Sequence, residues 1–123
     1  MKANIMIVDD TGFMRGLLRE ILLSRGYAVV AEGCDGWEAI RLYKTVKPDL
    51  VMLDISMPGL DGLSALAEIK KLDPKAKVII CSVLGKRNLV IDAIMAGAED
   101  FIVKPFHYET VTESVEKVLG ALI

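Results

Sequence analysis

The chain is predicted to be a doubly wound α/β domain, (βα)5, with a five-stranded parallel sheet, and three observations predict it. Four short runs, Ile5-Met6-Ile7-Val8, Leu50-Val51-Met52-Leu53, Val78-Ile79-Ile80-Cys81 and Phe101-Ile102-Val103, are apolar at every position. Such runs read as strands buried on both faces rather than strands with one wet side. Segments with helical spacing of apolar residues lie between them, so strand and helix alternate, as βαβ units require. Each run also stops at polar residues: Asp9-Asp10, Asp54, Ser82 and Lys104-Pro105.

The elements follow in order. After the first strand, Phe13, Leu17, Leu18, Ile21 and Leu22 recur at helical spacing and stop at Gly26. Val29-Val30 makes a short second strand. Asp35-Gly36-Trp37-Glu38 has the form of a capping box, an Asp whose side chain satisfies the first free amides of a helix, and that helix ends before Pro48. The third strand, bounded by Pro48 and the Pro58-Gly59 turn, leads to a helix that follows Gly62 and ends near Asp73-Pro74. A fourth helix runs from about Lys86 to Gly97, and a fifth from about His107 to Leu122. No linker, repeat or low-complexity segment interrupts the pattern. One domain over residues 1–123 is expected, without an output domain.

Bulk properties exclude several function classes. At 123 residues one domain can bury roughly two-thirds of its unfolded surface. A net charge of -2 with interspersed signs argues against nucleic-acid binding by charge. No apolar stretch reaches the ~20 residues of a membrane span, and the N-terminus lacks a signal-peptide core. Cys34 and Cys81 are too few for a disulfide framework and read as reduced core thiols of a cytoplasmic protein. His107, the single histidine, lies far along the chain from both, which argues against a catalytic thiol.

The chemistry sits at the strand ends. Taken singly, Asp9-Asp10 could cap a helix, Asp54 could belong to a turn, Ser82 could begin a loop and Lys104 could be solvated. In a parallel sheet, however, the carboxyl ends share one rim, so the four groups converge. Three clustered carboxylates repel one another and need a cation. All-oxygen donors suit a hard, water-retaining ion, hence Mg²⁺ or Mn²⁺. A divalent ion and a lysine would neutralise an incoming phosphoryl group, and a carboxylate can be its acceptor. Asp54, central between the acidic pair and Lys104, is the candidate nucleophile. Asp9 and Asp10 are the candidate metal ligands, Lys104 the partner of one phosphoryl oxygen and Ser82 of another.

Val8-Asp9-Asp10, Asp54-Ile55-Ser56-Met57-Pro58-Gly59-Leu60-Asp61-Gly62, Ser82, Ala96-Gly97-Ala98 and Lys104-Pro105-Phe106 together resemble the receiver domain of two-component response regulators over the whole chain. Gly12-Phe13-Met14-Arg15 and the ending Phe101 to Phe106 look most like the stand-alone chemotaxis receivers. The resemblance implies the flavodoxin-like strand order 2-1-3-4-5 and phosphorylation of Asp54 by a histidine kinase. It also implies the Ser56 backbone carbonyl as a further metal ligand and a cis Lys104-Pro105 bond. Catalysis would extend only to the chain's own phosphorylation and dephosphorylation. Ser82 and Phe101 would be the switch pair. The family often has tyrosine at the second position, so Phe101 can report only by packing inward or outward. Leu84 would shield the acyl phosphate from water.

Phosphorylation should draw Ser82 toward the new oxygens and let Phe101 fill the vacated space, linking the site to the fourth helix. Leu89, Val90, Ile91, Ala93, Ile94, Met95 and Ala96 leave that helix almost no polar face, although one stripe suffices to cover a sheet. A docking surface of Lys86, Val90, Ile94, Phe101, Val103 and Lys117 is therefore expected to take an apolar partner helix. By resemblance the partner is the flagellar switch protein, with a phosphorelay protein as the alternative and a phosphatase as a further class; the chain itself is expected to be monomeric. Other readings fit less well. A haloacid-dehalogenase-like phosphatase needs a second carboxylate two residues after the nucleophile, where this chain has Ser56. An FMN binder needs a hydroxyl- and Gly-rich loop where Asp9-Asp10-Thr11-Gly12 stands.

Overall fold

The computed structural model describes residues 3–83 and 87–120, without the side chains of Arg87 and Asn88. Five strands and five helices alternate: β1 (Asn4–Val8), α1 (Gly12–Ser24), β2 (Ala28–Gly33), α2 (Gly36–Val46), β3 (Leu50–Asp54), α3 (Gly62–Leu72), β4 (Val78–Ser82), α4 (Arg87–Met95), β5 (Asp100–Val103) and α5 (Tyr108–Leu119). The sheet order is β2-β1-β3-β4-β5, and every pairing is parallel. The chain winds outward from β1 to the β2 edge, then returns to β3 on the other side. This reversal opens a crevice at the carboxyl ends of β1 and β3.

Three of the four uniformly apolar runs, in β1, β3 and β4, are buried on both faces, whereas Phe101-Ile102-Val103 in β5 is only partly buried because β5 is a sheet edge. Met6, Val8, Val51, Leu53, Val78 and Ile80 join Ala39, Tyr43, Leu66, Ile69 and Ala93 of α2, α3 and α4 in one cluster. Ile5, Ile7, Leu50, Met52, Ile79 and Ile102 join Leu18, Leu22, Val111 and Val115 of α1 and α5 in the other. Adjacent strand residues thus alternate between the two layers, and each fully buried Ile or Leu contributes roughly 1.5–3 kcal/mol.

Helix starts match local chemistry. The side chains of Thr11, Asp35 and Asp61 accept from the backbone amides of Met14, Glu38 and Ser64, which caps α1, α2 and α3. Among the described residues no helix is long and apolar enough to cross a membrane.

The structure corrects two readings. The second strand spans Ala28–Gly33 rather than Val29-Val30; it is the sheet edge, and its half-exposed pattern hides its extent from a search for apolar runs. Cys81 is a core thiol but Cys34 is exposed, because it lies just past the edge strand rather than inside an apolar element. Among the described residues the fourth helix covers Arg87–Met95; Lys86 and Leu84 lie outside the described residues, as does the stretch from 121 toward Leu122 expected for the fifth helix. The Lys104-Pro105 peptide is cis.

Gly62, buried at the start of α3, sets how closely that helix approaches β3. A Cβ there would fall 2.6 Å from Ile55 Cα and nearer still to the Asp54 carbonyl oxygen. Those neighbours are backbone and cannot rotate away. Gly62→Ala is expected to lower unfolding free energy by about 3 kcal/mol, read as a lower urea midpoint at unchanged slope. A loss below about 0.5 kcal/mol would mean that the β3–α3 connection yields freely.

Candidate functional site

Each member of the site arrives on its own element. Asp9 follows β1, and its amide donates to the Gly33 carbonyl at 3.1 Å. Its carboxylate accepts from the Thr11 amide at 3.0 Å and the Thr11 hydroxyl at 3.2 Å. Asp54 closes β3 beside Cys81 of β4, and the Ile55 amide donates to the Cys81 carbonyl at 2.9 Å. Lys104 follows β5, with its amide donating to the Ser82 carbonyl at 2.6 Å. The carboxyl ends of β1, β3 and β5 thus bring Asp9, Asp54 and Lys104 together.

Asp9, Asp10 and Asp54 bring carboxylate oxygens within 4.8 Å of one another. Asp9, Asp54, Ser82 and Lys104 are buried, whereas Asp10 is exposed. The Lys104 ammonium lies 2.6 Å from Asp9 Oδ2 and 3.3 Å from Asp54 Oδ1, with the Phe106 ring centroid 5.9 Å from Nζ. The Ser56 amide donates weakly to Asp54 Oδ1 at 3.4 Å. Phe101 is half-buried against the α2–α4 core cluster.

Burial, reinforced by the charge of Asp9, pushes the Asp54 carboxyl from 3.8 to about 6, against the opposing pull of Lys104 and the Ser56 amide. For Lys104, burial acts to lower the pKa. The hydrogen bond to Asp9 and the negative charges of Asp54 and Asp9 outweigh it, and the net shift is upward. One ammonium thus faces two buried carboxylates, with a third close by. A donor set of closely spaced carboxylate oxygens, in excess of its local cation, fits a hard divalent ion that keeps part of its water shell. Asp9, Asp10 and Asp54 are the side chains that could hold it.

Asp10 tests this directly because it is exposed and carries no core packing. Asp10→Ala is expected to leave the unfolding midpoint in EDTA unchanged or higher, since it removes one repelling charge. It should weaken Mg²⁺ binding by at least about tenfold, because even outer partners of metal ligands matter by 10–100-fold. Calorimetric titration with Mg²⁺ measures this, and wild-type affinity in the variant would remove Asp10 from the site.

The described residues of the other expected surface lie on α4, β5 and α5. Ile94 is 58% and Val103 46% exposed, and Val90 is half-buried. Lys117 is exposed but pairs with Asp100 at 3.1 Å, so its charge is already engaged. Two residues at the acidic loop carried no signal of their own in the sequence. Thr11 both caps α1 and grips Asp9, and Arg15 Nη1 donates to the Asp9 carbonyl at 2.7 Å.

Comparison with known proteins adds the family. Residues 5–116 match the response regulator receiver domain. The chain is 50% identical over 120 residues to the chemotaxis protein CheY of Bacillus subtilis, covering 98% of this chain and 100% of that protein. It is 49% identical over 118 residues to CheY of Thermotoga maritima, covering 96% and 98%. Among solved structures, the CheX-CheY-BeF3-Mg complex from Borrelia burgdorferi superposes with a TM-score of 0.93 at 40% identity, covering 96% of this chain and 90% of that one.

Proposed function

We propose that this chain, which belongs to the response regulator receiver domain family, accepts a phosphoryl group on Asp54 from a histidine kinase and signals in chemotaxis. As a receiver domain it is a phosphorylation-activated signalling switch and not a classical enzyme. The single observation that carries the site assignment is the position of Asp54. It is buried at the end of the third strand, 3.3 Å from the Lys104 ammonium and within 4.8 Å of two further carboxylates.

In the proposed reaction an Asp54 carboxylate oxygen forms a bond to phosphorus while the bond from phosphorus to the kinase histidine nitrogen breaks. The electron pair of that bond leaves with the imidazole. Only the ionised carboxyl attacks, and a group titrating near 6 is mostly ionised at neutral pH. Lys104 would offset charge on a phosphoryl oxygen, and the Ser82 hydroxyl would bond another. Asp9, Asp10, Asp54 and the Ser56 carbonyl would hold Mg²⁺, with Mn²⁺ as a substitute; the bound ion supplies charge neutralisation at the phosphoryl oxygens. Support comes from the relatives named as chemotaxis proteins and from the BeF3-Mg complex of the Borrelia burgdorferi protein. Self-dephosphorylation by water attack on the acyl phosphate, hastened by a phosphatase partner, completes the cycle.

The output partner is proposed to be the flagellar switch protein, which would present an apolar helix to α4 and β5. Ile91, Ile94 and Met95 expose apolar surface on α4, and Val103 exposes it on β5. Ile94→Asp is expected to weaken binding of a switch-protein helix to the beryllofluoride-activated chain by at least about tenfold, measured by fluorescence polarisation. Phosphorylation of Asp54 should be unchanged. Normal binding by this variant, with binding lost instead on substituting α1, would move the output surface and favour a phosphorelay protein.

A further inference from the structure

We propose that Arg15 is a positioning residue that holds the acidic loop in its cation-binding form, with Glu32 as its anchor. The inference rests on Asp9 and Asp10 binding a divalent cation. These carboxylates are consecutive and repel each other, so something must keep the peptide between them turned toward the pocket. The Asp9 side chain is held by Lys104 and Thr11. Asp10 is exposed, so its direction depends on the peptide plane that precedes it. That plane is fixed at its oxygen, because Arg15 Nη1 donates to the Asp9 carbonyl at 2.7 Å.

Arg15 is itself held. Its Nε lies 3.3 Å from Glu32 Oε1, and Arg19 Nη1 lies 2.6 Å from Glu32 Oε2. Glu32 precedes Gly33, whose carbonyl accepts the Asp9 amide. The edge strand β2 therefore grips Asp9 at both ends, directly through Gly33 and indirectly through Glu32 and Arg15. The side chains of Arg15 and Glu32 are 24% and 28% exposed, ordered by these contacts rather than by deep burial. Partners that orient metal ligands commonly matter nearly as much as the ligands themselves.

The arrangement has a sign that separates it from a bystander. A cation beside a metal site opposes the metal through space, so electrostatics alone predicts tighter Mg²⁺ binding when Arg15 is neutralised. Positioning predicts the opposite. Calorimetric Mg²⁺ titration of the intact chain is expected to show about tenfold weaker binding in Arg15→Met. Arg15→Lys, which keeps one donor but loses the fork to Glu32, should fall between the two. Thermal unfolding in EDTA reports whether each variant is folded. Should Arg15→Met fail to fold, Glu32→Gln carries the test in about 1 M KCl, where charge effects beyond roughly 3 Å are screened. Weaker binding should persist there. Wild-type or tighter Mg²⁺ binding in Arg15→Met, or in Glu32→Gln at high salt, overturns the positioning role and leaves the cation site standing. A wild-type chain that binds no Mg²⁺ overturns the cation site, and the inference with it.

Discussion

Asp54→Asn should take up no phosphoryl group from acetyl phosphate or a kinase, while remaining folded and becoming more stable. The loss of uptake is complete because an amide is no nucleophile toward phosphorus. The gain in stability follows from the raised pKa. In the folded chain Asp54 titrates near 6 rather than 3.8, chiefly because it is buried and secondly because it faces Asp9. Between those values the folded state holds more protons than the unfolded state, so this group erodes stability as pH rises through that window. Asparagine removes the penalty. Allowing for solvent screening near the open rim, the gain at pH 7 without metal is about 1–2 kcal/mol. It should shrink as pH falls from about 6 toward 4. Urea unfolding in EDTA at several pH values measures it; a variant less stable than wild type at pH 7 would mean that the Lys104 attraction outweighs burial.

Lys104→Met acts in the opposite direction. Its ammonium is the cation held against both Asp9 and Asp54, at 2.6 and 3.3 Å, and all three side chains are buried. Removing it leaves two neighbouring carboxylates without their counter-charge, which costs about 3 kcal/mol or more in EDTA. Mg²⁺ should restore much of that loss, since it replaces the missing positive charge at the same oxygens. Phosphorylation should remain slow in saturating Mg²⁺, because the phosphoryl oxygen loses its lysine. An equal loss of stability with and without Mg²⁺ would show that Lys104 acts by packing alone.

The central strands were legible because a strand covered on both faces must be apolar at every position. β1, β3 and β4 satisfy that rule with no accessible residue except Asn4. β2 and β5 satisfy it poorly because they are the edges; in β2 Val30 is exposed and Glu32 is polar, pairing with Arg15 and Arg19, and the same misreading placed Cys34 in the core. The site was legible as a set, since parallel strands bring their carboxyl ends together whatever their order. The order itself came from resemblance and not from spacing.

Internal allocation of contacts was not legible. Spacing cannot say that Lys104 sits closer to Asp9 than to Asp54, or that Asp10 is the exposed member of the trio. Nor can it say that Arg15 reaches back to the Asp9 carbonyl. Those features depend on side-chain rotamers and on how α1 packs against β2, which no local pattern encodes.

Asp54, at the end of the third strand, is expected to carry the phosphoryl group, with a divalent cation required. Reductive trapping tests it most directly. Borohydride converts an aspartyl phosphate to homoserine, so the phosphorylated chain can be reduced, digested and mapped by mass. Homoserine is expected at position 54 alone, formed with Mg²⁺ and absent in EDTA. Homoserine at position 9 or 10, or equal conversion at position 54 without a divalent cation, would contradict it.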